Sequence, residues 1–235
     1  QAYGREVVGL KPTKNYTVYV ALDKSYVADV VSACDEASFS RHYWRYPFLG
    51  NLPYRGFYDR DDAIEEANRL KKAGMDVIVR KVDAFSSHGF FKDPLYSFMI
   101  EYDVDILAEL ILHESVHATL FVKGAQQFNE ELASFVGRLA TEGWLASRYG
   151  AASIELSRRT ERAKDRVSFT AWLMETAKQL ATLYSQPGLS REAMLAQKDA
   201  IIAARAREYK AQAPSIFTNT AYVEFDMGSI NNAYL

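Results

Sequence analysis

The chain has 235 residues, 49% of them hydrophobic and 25% charged, with 28 Lys+Arg against 30 Asp+Glu for a net charge of -2. That length and balance suit one globular domain with a sizeable core, and they exclude wholesale disorder, collagen and low-complexity architectures. The near-neutral charge gives no support to a nucleic-acid partner, and no apolar run approaches the roughly 18 residues of a membrane span.

The elements read as follows in chain order. Residues 16–22 (YTVYVAL) are β-branched and aromatic and read as a strand, followed by a second apolar run over 26–39. Cys34, the single cysteine, excludes an internal disulfide and a four-cysteine metal site. The aromatic stretch 43–58, punctuated by Pro47, Gly50, Pro53 and Gly56, reads as irregular or strand–turn–strand. Asp61 and Asp62 open a helix with Ala63, Ala67 and Leu70 on its core face and Gly74 after its end. The run 75–82 (MDVIVRKV) alternates as a strand. Four long helical patterns follow at roughly 103–122, 126–148, 160–184 and 190–210. The tail 214–235 reads as loop, and the polypeptide is expected to continue past Leu235.

Strands first and helices later predict an α+β fold. An N-terminal mixed β-sheet with one helix is expected over 1–102, and a mainly helical part over 103–235, together one domain. Arg158, Arg159, Arg162, Lys164 and Arg166 are interleaved with Glu161 and Asp165, so they read as a solvated helix face and not as a nucleic-acid patch. The amphipathic run 191–210 has a polar face of mixed charge and reads as helix packing, not membrane binding.

The informative segment is ILAELILHESVHA at 106–118. His113 and His117 stand four residues apart on one helix face, where two imidazoles can reach one cation at about 2.0–2.1 Å. Glu114 is turned by about 100° from His113 and flanks that cation, placed to take a proton from metal-bound water. The chain has only 4 histidines, so a chance His-Glu-x-x-His match is expected about 0.005 times. Leu107, Leu110, Ile111, Val116 and Leu120 make the helix apolar, and ionisable groups in such a helix are costly unless paired or metal-bound.

A catalytic zinc takes three protein ligands and one water. No histidine follows His117, so the third ligand must be a carboxylate, and the next helix offers Glu130 and Glu131. Its large apolar face is Phe128, Leu132, Phe135, Val136 and Leu139. Glu130 lies nearly opposite, on a strip of small residues (Ala133, Ser134, Gly137, Ala140) that lets another helix approach closely. Glu130 is therefore favoured, with Glu131 as the alternative.

HESVH followed by FNEELASF resembles the gluzincin pattern of zinc metallopeptidases. More narrowly, the chain is similar to a family of bacterial predicted zinc aminopeptidases. The resemblance is carried by YPFLGNLPYRGFYDRDDA at 46–63, GMDVIVRKVDAFSSHGFFKDPL at 74–95, LAELILHESVHATLFVKGAQQFNEELASFVG at 107–137 and NNAYL at 231–235. It implies a zincin-like fold and hydrolysis of a peptide substrate. Zn2+ would be held by His113, His117 and Glu130, with Glu114 as general base. Many gluzincins carry an aspartate four residues after the third ligand, where this chain has Ser134. The Gly-x-Met-Glu-Asn loop of many gluzincin aminopeptidases is not in the sequence.

In gluzincins a sheet edge ahead of the zinc helix pairs with the substrate backbone, which implies substrate contacts at Ala84, Ser86 and Ser87. A Ser/Gly turn leading into Asp93-Pro94 explains the same residues equally well, and His88 reads as a surface residue. An oxyanion-stabilising Tyr or His is expected downstream, where Tyr222 and Tyr234 lie in the tail. The rival readings are a non-catalytic zinc-binding interaction domain, against which Glu114 argues, and a latent metalloprotease. The compartment is left undetermined; a bacterial exported protein, periplasmic or membrane-anchored, with its targeting segment missing from the chain, is the location left open.

Overall fold

The computed structural model describes residues 1–46, 50–82 and 93–235. A π-helical turn (Gly4–Val8) is followed by strands β1 (Tyr19–Val20), β2 (Ala28–Asp35), β3 (Trp44–Tyr46), β4 (Gly50–Leu52) and β5 (Arg55–Phe57). Helix α1 (Arg60–Lys72), β6 (Met75–Val82) and β7 (Leu95–Tyr96) come next. Then come α2 (Val104–Thr119), α3 (Gln126–Tyr149), α4 (Ile154–Tyr184), α5 (Arg191–Ile216) and the short α6 (Thr220–Val223). The architecture is mixed α+β, with strands and one helix first and helices after.

One expectation is corrected. The described strands do not form a single mixed sheet. They form three small ones: β1 with β7 in parallel, β5–β2–β6 antiparallel throughout, and β3 with β4 antiparallel. The strand expected over 16–22 shrinks to two residues. Tyr16 sits at φ 56°, in the left-handed region, and its N–H donates to the Asp93 carbonyl at 2.6 Å. Such a residue cannot continue a strand, whatever the propensity of its neighbours.

Packing divides the chain into two compact units, Gln1–Val27 with Asp83–Thr160, and Ala28–Val82 with Glu161–Leu235. The first unit holds the β1–β7 pair and the antiparallel helices α2 and α3. Its core is Leu10, Leu112, Val116, Ala133 and Ala140.

In the second unit β2 pairs with β6 along its whole length, from Ala28↔Val82 to Asp35↔Met75. Asp59 caps α1 by accepting the Asp61 N–H at 2.7 Å, so Asp61 and Asp62 lie in the first turn, where they favour the helix dipole. Ala63, Ala67 and Leu70 then bury against Val31, Ala33, Trp44 and Val77.

The tail departs from the loop reading. Helix α5 runs over Pro214 to Ile216, and Phe217, Met227 and Ile230 bury against Phe169, Ile202, Tyr209 and Ala213. Asn232 closes this end: its N–H donates to Asp76 Oδ2 at 2.7 Å, and its amide donates to the carbonyls of Asp35 and Ser38.

Candidate metal centre

Helix α2 buries Leu112, Glu114, Ser115, Val116 and His117 within two turns. Leu112 and Val116 pack on Leu10 and on Ala133 and Ala140 of α3. Ala133, Gly137 and Ala140 of the small-residue strip face α2, and Ser134 does not. A Cβ placed on Gly137 would stand 3.2 Å from Cα, Cβ and N of His113, so a side chain there would press on the His113 backbone and glycine suits this close approach. The loop between the helices is closed by Asn129, 2% exposed. Its amide donates to the Val122 carbonyl at 2.8 Å and its Oδ1 accepts the Val122 N–H at 2.9 Å. That clasp fixes where α3 begins, and Glu130 is the next residue.

The consequence is a convergence of three side chains. His113 Nε2 and His117 Nε2 are 3.1 Å apart, with the rings crossed at 83°. Glu130 Oε2 lies 3.6 Å from His113 Nε2, and its Oε1 lies 3.6 Å from His117 Nε2. All three donor atoms fall within 4.8 Å of one another, and they are the group among the described residues that could hold a metal ion. Two tetrahedral ligands at about 2.0–2.1 Å from a common ion stand about 3.3–3.4 Å apart. The observed 3.1 and 3.6 Å straddle that spacing. His117 is nearly sealed at 2% side-chain exposure, while Glu130 is half-open at 51%, so the group has a wet side and a dry side.

Burial pushes the His113 imidazole below its ordinary range, against the opposing pull of the Glu130 and Glu109 charges. The neutral imidazole it favours is the metal-ligating form. Glu131 points elsewhere and accepts the Gln127 amide at 2.8 Å, so of the two candidate glutamates the structure brings Glu130 to the histidines. Ser134 is exposed. Ala84, Ser86, Ser87 and His88 lie outside the described residues. Tyr222 and Tyr234 belong to the second unit's aromatic core, with the Tyr222 ring 4.8 Å from Phe169 and the Tyr234 ring 5.6 Å from Phe225.

Two residues around the group were not singled out from the sequence. Tyr16 is held in its left-handed conformation beside a clasp in which the Asn15 amide donates to Asp93 Oδ2 at 2.8 Å. Burial first, then the charges of Glu114, Asp93 and Tyr96, push its phenol well above the ordinary range, so it stays protonated in the field of Glu114. Arg159, expected on a solvated helix face, is 6% exposed instead, among carboxylates of α2 and α3. Neither has a local signal, because both owe their position to residues distant in sequence.

A family model described as "Putative aminopeptidase" matches residues 1–235. No curated protein and no solved structure matches the chain.

Proposed function

The chain belongs to the aminopeptidase family whose model spans it, and on that premise we propose that it is a zinc-dependent peptidase. His113, His117 and Glu130 are the zinc ligands and Glu114 is the general base. Residues 1–235 act as one metallopeptidase domain of zincin-like fold. The observation that carries this reading is the convergence of two imidazole nitrogens and a carboxylate within 4.8 Å, with the buried Glu114 next in sequence to His113.

Two nitrogens and an oxygen are a suitable donor set for zinc, so His113, His117 and Glu130 would hold the ion. Zinc held there would supply a Lewis acid and would make water a stronger acid near neutral pH. Glu114, 8% exposed, accepts the proton of the attacking water. The water oxygen forms the new bond to the peptide carbon, the C–N bond breaks, and Glu114 returns the proton to the leaving amine. The near-sealed His117 keeps one side of the centre dry, where electrostatic stabilisation is strongest. Peptides are the substrate class, and the family description points to cleavage at the amino end.

The test is hydrolysis of a peptide set by the full chain, with and without a chelator. Activity that disappears on chelation and returns with zinc supports the reading. Activity indifferent to chelation contradicts it, and stoichiometric zinc with no cleavage of any peptide favours the non-catalytic zinc domain.

A further inference from the structure

Arg159 lies in the second turn of α4, inside the first unit, and its guanidinium is buried, at 6% exposure. Its Nη1 donates to Glu109 Oε2 at 2.8 Å and lies 3.9 Å from Asp105 Oδ2, both on α2. Its Nη2 donates to the Arg138 carbonyl of α3 at 3.3 Å, and its Nε is 3.8 Å from Glu142 Oε1 of the same helix. A single guanidinium therefore fastens α2 to α3.

The place of that fastening matters. Asp105, Glu109, His113 and His117 follow one another at four-residue spacing on one stripe of α2. Arg138 is the neighbour of Gly137, where an added Cβ would meet the His113 backbone at 3.2 Å. The brace thus sits one turn behind the first histidine, at the point where the two helices cross. The candidate ligands come from both helices, so their separation is set by that crossing. A guanidinium suits the task, because its planar fork reaches several oxygens at once in fixed directions, which an ammonium cannot do.

We propose that Arg159 is a positioning residue for the metal centre. It locks the α2–α3 crossing so that His113 and His117 of one helix and Glu130 of the other meet at zinc-binding separation. The inference rests on the zinc reading above. Two other roles would leave different traces. An arginine that served only folding would lower thermal stability and leave the zinc affinity of the folded protein alone. An arginine that acted only through its charge would repel the incoming cation, and its removal would tighten zinc binding.

The experiment is equilibrium zinc titration of the metal-free full chain, with circular dichroism to establish folding, for the wild type, Arg159→Met, Arg159→Lys and Glu109→Gln. Partners that orient metal ligands from behind typically contribute 10- to 100-fold to affinity. Arg159→Met is expected to weaken zinc binding by about that factor, and Arg159→Lys to recover part of the loss. Combined with Glu109→Gln, Arg159→Met should cost less than it does alone, because a shared contact is already gone. Wild-type or tighter zinc affinity in folded Arg159→Met overturns the proposal. If that variant does not fold, Arg159→Lys decides: several-fold weaker binding supports the role, and unchanged binding overturns it. A wild type that binds no zinc refutes the metal reading itself, and is thereby distinguished from a failure of Arg159.

Discussion

In the second unit the buried Lys198 ammonium is held by Asp76 Oδ2 at 2.5 Å and by the Glu36 carbonyl at 2.9 Å, and the same Asp76 oxygen accepts the Asn232 N–H at 2.7 Å. In the first unit His113, His117 and Glu130 stand together at 3.1–3.6 Å, bringing two imidazole nitrogens and a carboxylate to one place. The first arrangement is complete: donors meet acceptors, and nothing more is needed to hold the charge. The second gathers two imidazole nitrogens and a carboxylate that could hold a metal ion. The two polar clusters thus differ in kind: one is satisfied by protein groups alone, and the other is a candidate to hold a cation.

The contrast is broken most severely at Glu114. Glu114→Gln keeps the shape of the α2 face and removes the base. Peptide hydrolysis should fall by about 10²- to 10⁴-fold while zinc content by metal analysis is unchanged. Full activity would remove Glu114 from the mechanism.

The complementary break lies in the other unit. Lys198→Met leaves Asp76 without its cation, and stripping one partner from a buried pair costs about 3–5 kcal/mol. Urea unfolding should register that loss, and zinc affinity measured on the folded variant should stay put.

A subtler change sharpens the first unit's side of the comparison. Gly137→Ala favours the helix by up to about 1 kcal/mol but forces a methyl against the His113 backbone, and zinc affinity should drop about tenfold. A zinc affinity equal to wild type would mean that the helix crossing does not set the ligand spacing.

The smallest expected effect is a pH dependence confined to the second unit. Glu66 accepts from Arg69 at 2.7 Å and from the Trp44 indole at 2.8 Å. The hydrogen bond from Arg69 is the main cause that holds the carboxyl at about 2, below its ordinary 4.5, with Trp44 and the Arg69 and Arg55 charges adding to it against burial. A depressed folded-state value means stabilisation that is full above about 4.5 and lost as pH falls through about 2. Wild type should lose stability over that window relative to Glu66→Gln, as followed by urea unfolding at several pH values. Parallel curves would contradict the assignment.

Much of the candidate centre was legible because its signals are local. His113 and His117 share a helix face by spacing alone, and an apolar helix around them marks burial. The choice of Glu130 over Glu131 followed from a strip of small residues, and the close pass of Gly137 by His113 is its physical counterpart. What stayed illegible depends on partners far along the chain. Arg159 sits among charges that resemble a solvated face, and only its meeting with Glu109 and Glu142 buries it. The strand propensity of residues 16–22 is overridden by the turn that Asp93 imposes on Tyr16. The tail has no periodicity to read, yet Phe217, Tyr222 and Phe225 pack around Phe169, a partner about 50 residues earlier in the chain that no local pattern announces.

The central claim is that two imidazoles of α2 and a carboxylate of α3 bind one metal ion. The most direct measurement is zinc titration of the metal-free full chain beside folded His117→Ala. The account predicts one zinc per wild-type chain and binding weaker by orders of magnitude in the variant. A wild type that takes up no zinc, or a variant that binds it as tightly as wild type, would contradict it.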